Sequence, residues 1–364
     1  MKGLRATAPI TSKSFAKGIR NPDLVLRVVS DAEEFFRLRE EWNGLVSESQ
    51  GVEIFSSWGW LYALWSKISS QENELRLFLV REVSGKLRAI LPACLCTRKT
   101  LKFLSFQELT SINVAAGHPM GYFDLIALPR FRRAAVDLIV PAMVQSPWNI
   151  LDFKNIPSES PLAPVLHRHL AETSGYKRRD NPTPIVELPR NWEEYIAMVG
   201  ESAEEAIVDA QSAVSAAEQV KRITLQADDI EFTSTKHPFY RVSKVFGLSE
   251  IPNSRRDQKW MKPFGLERHL WTQDEQIVAE LVTASCKQTT YLLQVRLGRH
   301  SLASQFLLVA VARELKEAIE KNQTRFDFSL IGHPVIADLT GGFQRNTVSV
   351  QAKRKTLALR FIRD

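Results

Sequence analysis

The sequence predicts an α/β fold of the α+β type, built as two tandem domains, each a mixed, mostly antiparallel sheet flanked by helices. Three observations predict it. The 364 residues exceed what one ordinary core holds and suit two domains. Pro182, Pro184 and Pro189 crowd the middle of the chain, a density that breaks regular structure and marks a boundary. On either side the same order recurs imperfectly: helices, a meander of strands, then a strand–helix–strand unit. The expected division is a basic tail over 1–23, an N-terminal domain over 24–180 and a C-terminal domain over 181–364.

In chain order, residues 31–50 read as a helix. Asp31 is its N-cap, and Phe35, Leu38 and Trp42 fall at helical spacing. A second helix begins near Ser56 or Ser57. A hairpin follows, with Leu75–Val83 and Lys86–Leu95 joined at Ser84-Gly85. Pro92 marks an edge or a bulge in its second strand. Strands are expected at 101–106, 122–128 and 149–154, with a helix over 130–143 between the last two and another over 162–173. Ser202 and Glu205 form a capping box that opens an alanine-rich helix to about Ile223. The stretch from Asp228 to Trp271 gives no clear period. Gln276–Ser285 and Thr289–Leu297 read as paired strands, Leu302–Lys321 as a helix, Arg325–Leu330 as a short strand and Thr347–Phe361 as the last strand.

Hydrophobic residues make up 44% and charged residues 24%, a globular composition. The net charge of +7 favours anionic partners. Lys and Arg are spread along the chain instead of gathered in a block, which argues against nucleic acid. Cys94, Cys96 and Cys286 have neither metal spacing nor even number, so they read as reduced thiols and imply a cytoplasmic setting. The sequence holds no run of eighteen apolar residues, so no membrane span is expected. The basic N-terminus lacks an apolar core and reads as a tail, not a secretory signal.

The best candidate for chemistry is the turn from Gly298 into the following helix: Arg299, His300, Ser301, Leu302, Ala303 and Ser304. A strand there runs into small polar residues and a helix N-terminus, where unpaired N–H groups and the helix dipole hold phosphates. Arg299 adds a forked donor, and Ser301 or Ser304 caps the helix or contacts an oxygen.

Several motifs in order carry a resemblance. Ile54-Phe55-Ser56-Ser57-Trp58-Gly59-Trp60 through Trp65 resembles the opening motif of the CelD-like acetyltransferases, a GNAT-superfamily group tied to bacterial cellulose and exopolysaccharide synthesis and related to FemAB-type transferases. The Leu75–Pro92 hairpin, Tyr122-Phe123-Asp124, Asp152–Leu162 and Phe326-Asp327-Phe328 fall in the family's order. The resemblance implies tandem GNAT-like domains, acyl-CoA as donor co-substrate without a metal, and a small-molecule amine or sugar acceptor. Ser301–Val311 falls where the family has its cofactor-loop helix, next to the turn singled out above. A base is then needed beside it, and Asp327, His333 and Asp124 are the candidates; an imidazole suits neutral pH. The family's Tyr-Lys pair is missing after Phe328, where Ser329-Leu330-Ile331-Gly332-His333-Pro334 stands. A catalytically inactive binding or assembly protein of the same pathway is therefore the alternative.

Overall fold

The structure, a computed structural model, describes residues 10–11, 24–49, 54–69, 72–99, 105–117, 121–173, 175–217, 220–226, 264–274, 276–329 and 334–354. By their contacts these residues divide into two units. The first takes the chain up to Gly117, Tyr122–Asn181 and the described residues from Thr347 on; the second takes Pro182–Asn346.

In the first unit the strands are β1 (Ile10–Thr11), β2 (Leu24–Val29), β3 (Asn73–Glu82), β4 (Leu87–Lys99), β5 (Ser105–Ser111), β6 (Ile126–Ala127), β7 (Ile150–Pro157) and, from Thr347, β14 (Gln344–Lys353). They run in the order β1-β2-β3-β4-β5-β7-β14, with β6 beside β4. All pairs are antiparallel except β5 with β7. The helices are α1 (Ala32–Arg37), α2 (Arg39–Glu48), α3 (Trp58–Ile68), α4 (Ile112–Ala115), α5 (Arg132–Gln145) and α6 (Leu162–Leu170). Residues 87–96 of β4 are all buried, which explains why that strand reads as a continuous apolar run. Ser57 caps α3 by accepting from the Trp60 N–H. Three buried indoles find partners: Trp42 donates to Ser56 O, Trp58 to Phe35 O and Trp60 to Asn113 Oδ1. These tryptophans are core residues with satisfied N–H groups.

In the second unit α7 (Trp192–Val199) and α8 (Glu201–Ala216) precede β9 (Lys221–Gln226), β10 (Glu267–Gln273), β11 (Gln276–Cys286) and β12 (Thr289–Leu297). Then come α9 (Ala303–Glu320), β13 (Arg325–Asp327) and α10 (Pro334–Leu339). The strand order is β8-β13-β12-β11-β10-β9, where β8 is Lys177–Glu187. Strands β12 and β13 are parallel and joined by α9. That helix buries Phe306, Leu307, Val311 and Leu315 against Trp271, Leu281 and Leu292 of the sheet.

Several expectations need correcting. The proline-dense stretch forms β8 instead of interrupting the chain. The Pro184 carbonyl still accepts from the Phe328 N–H, and its missing donor falls where β13 ends, so little of the ladder is lost. Pro92 sits in an interior strand, not at an edge. It falls between the stretch of β4 that pairs with β6, ending at Ile90, and the stretch that pairs with β5, starting at Ala93. The helix expected from Ser202 to Ile223 stops at Ala216, and Lys221–Gln226 is strand β9. It starts after Gly200 with no side-chain cap, and the capped start lies earlier, at Asn191 of α7. The first helix breaks at Leu38. Of the expected 122–128 strand only Ile126–Ala127 forms. Residues 227–263, most of the stretch without a clear period, lie outside the described residues; the part from Glu267 is β10. Residues 101–104 of the expected 101–106 strand and 355–361 of the last strand lie outside the described residues; the described strand in the first region is Ser105–Ser111.

Candidate functional site

Strand β12 has one paired side and one partly open side. Toward β11 it pairs along its length, with one irregularity: Val282 faces Gln294 and Thr283 faces Leu292. Leu293 is thus an extra residue, a bulge that turns its backbone out of the ladder. Toward β13 the pairing covers only Thr289–Tyr291. Beyond Tyr291, residues 292–297 have no strand partner on that side among the described residues, so backbone donors and acceptors line an open edge there.

That edge leads into the turn before α9. Gly298 N–H donates to Val278 O at 2.8 Å, and a Cβ at this position would lie 2.6 Å from Ile277 O. Only glycine lets the two backbones come this close. His300 then ties the turn together: its N–H donates to Gly298 O, its carbonyl accepts from Ala303 N–H, and its Nδ1 accepts from Leu302 N–H at 3.1 Å. Its ring stands edge-on to Phe306. Neither Ser301 nor Ser304 caps α9, whose N-cap position is Leu302. Among the described residues the N–H groups of Ser301, Ser304 and Gln305 find no hydrogen-bond partner, and neither does the buried Oε1 of Gln305. Arg299, Ser301 and Ser304 are exposed. These donors stand at the positive end of an eighteen-residue helix, a setting whose chemistry suits an anion.

The three expected bases are placed differently. Asp327 ends β13 opposite Tyr291, in the same unit as the turn. It is fully buried, and Oδ1 accepts from Ser329 N–H at 2.7 Å, which fixes the left-handed Ser329 after the strand. Asp124 belongs to the first unit. Its Oδ1 accepts from Ser160 Oγ at 2.5 Å and Leu125 N–H at 2.7 Å, and its Oδ2 pairs with the Arg132 guanidinium. Burial raises its carboxyl above the usual range, and Arg132 opposes that rise. His333 lies outside the described residues.

The sequence reading missed a buried charged cluster in the second unit. Glu314 on α9 faces His269 on β10 and Arg222 on β9, and Arg222 also holds Glu317 at 2.8 Å. Buried Glu280 on β11 is held by Arg268 at 2.7 Å and Arg296 at 3.5 Å. A signal for the first group exists in the sequence: Glu314 falls three residues after Val311 and four before Ala318, within the apolar face of its helix. No described residues gather as a metal-holding group, and no described helix is long and apolar enough to cross a membrane.

No protein-family model and no curated protein sequence matches the chain. Solved structures do. The crystal structure of FemX superposes with a TM-score of 0.56 at 9% identity, covering 89% of this chain and 98% of that one. L-PGS from Bacillus licheniformis gives 0.48 at 12% identity, covering 88% and 94%. A tandem GNAT protein from the clavulanic acid biosynthesis pathway gives 0.49 at 13%, covering 92% and 99%. At such identities the likeness concerns the fold, and it rests on FemX. The likeness to FemX concerns a mixed α/β architecture, in which β12, α9 and β13 form a strand–helix–strand unit.

Proposed function

We propose that the chain is an acyl-CoA-dependent N-acyltransferase acting on a small amine or amino sugar, in the manner of the CelD-like enzymes of bacterial polysaccharide synthesis. One observation carries the reading: the free N–H groups of Ser301, Ser304 and Gln305 open α9 directly after the unpaired edge of β12. In this reading the donor's pyrophosphate sits on those N–H groups and Arg299. The pantetheine arm follows the open edge, adding the backbone pairing that β13 does not supply. The acceptor nitrogen attacks the thioester carbonyl carbon, the C–S bond breaks, an amide forms, and the thiolate takes a proton to leave as the thiol. The ammonium proton must pass to a base first. Asp327 and Asp124 are buried and engaged, which suits positioning, so His333 is the candidate of choice among the three. Holding the two reactants together supplies much of the rate.

Isothermal titration of the full chain with coenzyme A and acetyl-CoA tests the donor site. Binding is expected, weakened about tenfold by Arg299→Ala, the loss of one charge-assisted contact. Ser304→Pro removes a free N–H in the first helical turn, where proline is tolerated, and is expected to weaken binding with α9 intact. Absence of heat with either compound overturns the reading. Binding without turnover of any amine favours the inactive assembly protein.

A further inference from the structure

We draw no further inference here: the strongest candidate, the side-chain cluster of Arg268, Glu280 and Arg296 on strands β10, β11 and β12 of the second unit, closes its ion pairs within itself at 2.7 and 3.5 Å, and nothing in the structure shows what covers it.

Discussion

His269 Nε2 lies 3.1 Å from Glu314 Oε2, with both side chains almost wholly out of water. His269 Nδ1 lies 3.1 Å from an Arg222 nitrogen, which only donates, so Nδ1 is bare and Nε2 carries the imidazole proton toward the carboxylate. Burial, aided by Arg222, lowers the His269 pKa to about 4, and burial raises that of Glu314 to about 7 against the pull of Arg222. The two shifts act oppositely on stability. Between about 4 and 6.5 the unfolded chain protonates His269 and the folded chain does not, so acid favours unfolding. Glu314 binds its proton more tightly when folded, so its contribution is complete below 4.5 and is lost as pH rises through about 7. In the shared window they cancel, and wild-type stability is expected to be nearly flat there. Glu314→Gln is expected to uncover the histidine, with stability falling from pH 6.5 to 4 by up to about 1.4 kcal/mol per unit. Urea unfolding across that range decides, and matching slopes in both proteins refute the cancellation.

Asp124 is held by Arg132, Ser160 and the Leu125 amide. Asp124→Ala leaves Arg132 half-buried without its partner, and a loss of about 3 kcal/mol in unfolding free energy is expected. A variant with native Tm and lost turnover gives Asp124 a chemical role instead.

Gly298→Ala forces a methyl group toward Ile277 O. Because that atom is backbone, β11 and the turn must part. A cost of about 2 kcal/mol is expected, as for other overpacked sites, with weaker binding of coenzyme A. Calorimetric melting alongside titration measures both.

Arg354 stacks over the Trp148 ring at 3.8 Å and donates to the carbonyls of Val144, Ser146 and Trp148 near the end of α5. The fork, not the charge alone, makes these contacts. Arg354→Lys is expected to lose about 1–2 kcal/mol, nearly as much as Arg354→Ala. Chemical denaturation of the two variants compares them, and a lysine variant as stable as wild type rejects the fork argument.

Strong local patterns made much of this fold legible. The Leu75–Leu95 hairpin, the β11–β12 pair and the long helix after Leu302 have clear periods, and Ser57 and Asp31 cap as their chemistry suggests. The misses have a common cause. Pro184 looks like a breaker and Pro92 like an edge or a bulge, but neighbouring strands end or part beside them, so the missing donors cost little. Residues 217–226 follow an alanine-rich helix and carry no turn signal that would announce β9. In the candidate site, the turn from β12 into α9 was readable from its strand-to-helix change. The role of His300 was not, because an imidazole accepting a backbone N–H leaves no mark on residue spacing. The His269–Glu314 pair joins residues 45 apart in sequence, beyond any local pattern.

Strand β14 pairs with β7 across nearly two hundred residues of intervening chain. On the ribosome, the first half therefore emerges lacking the piece that finishes its own sheet. The β7 border stays bare until β14 has been made, and a bare border recruits other strands. Expression yield should depend on the speed of translation and on chaperone supply, and fragments ending near residue 181 should precipitate even though most of their apolar residues are present.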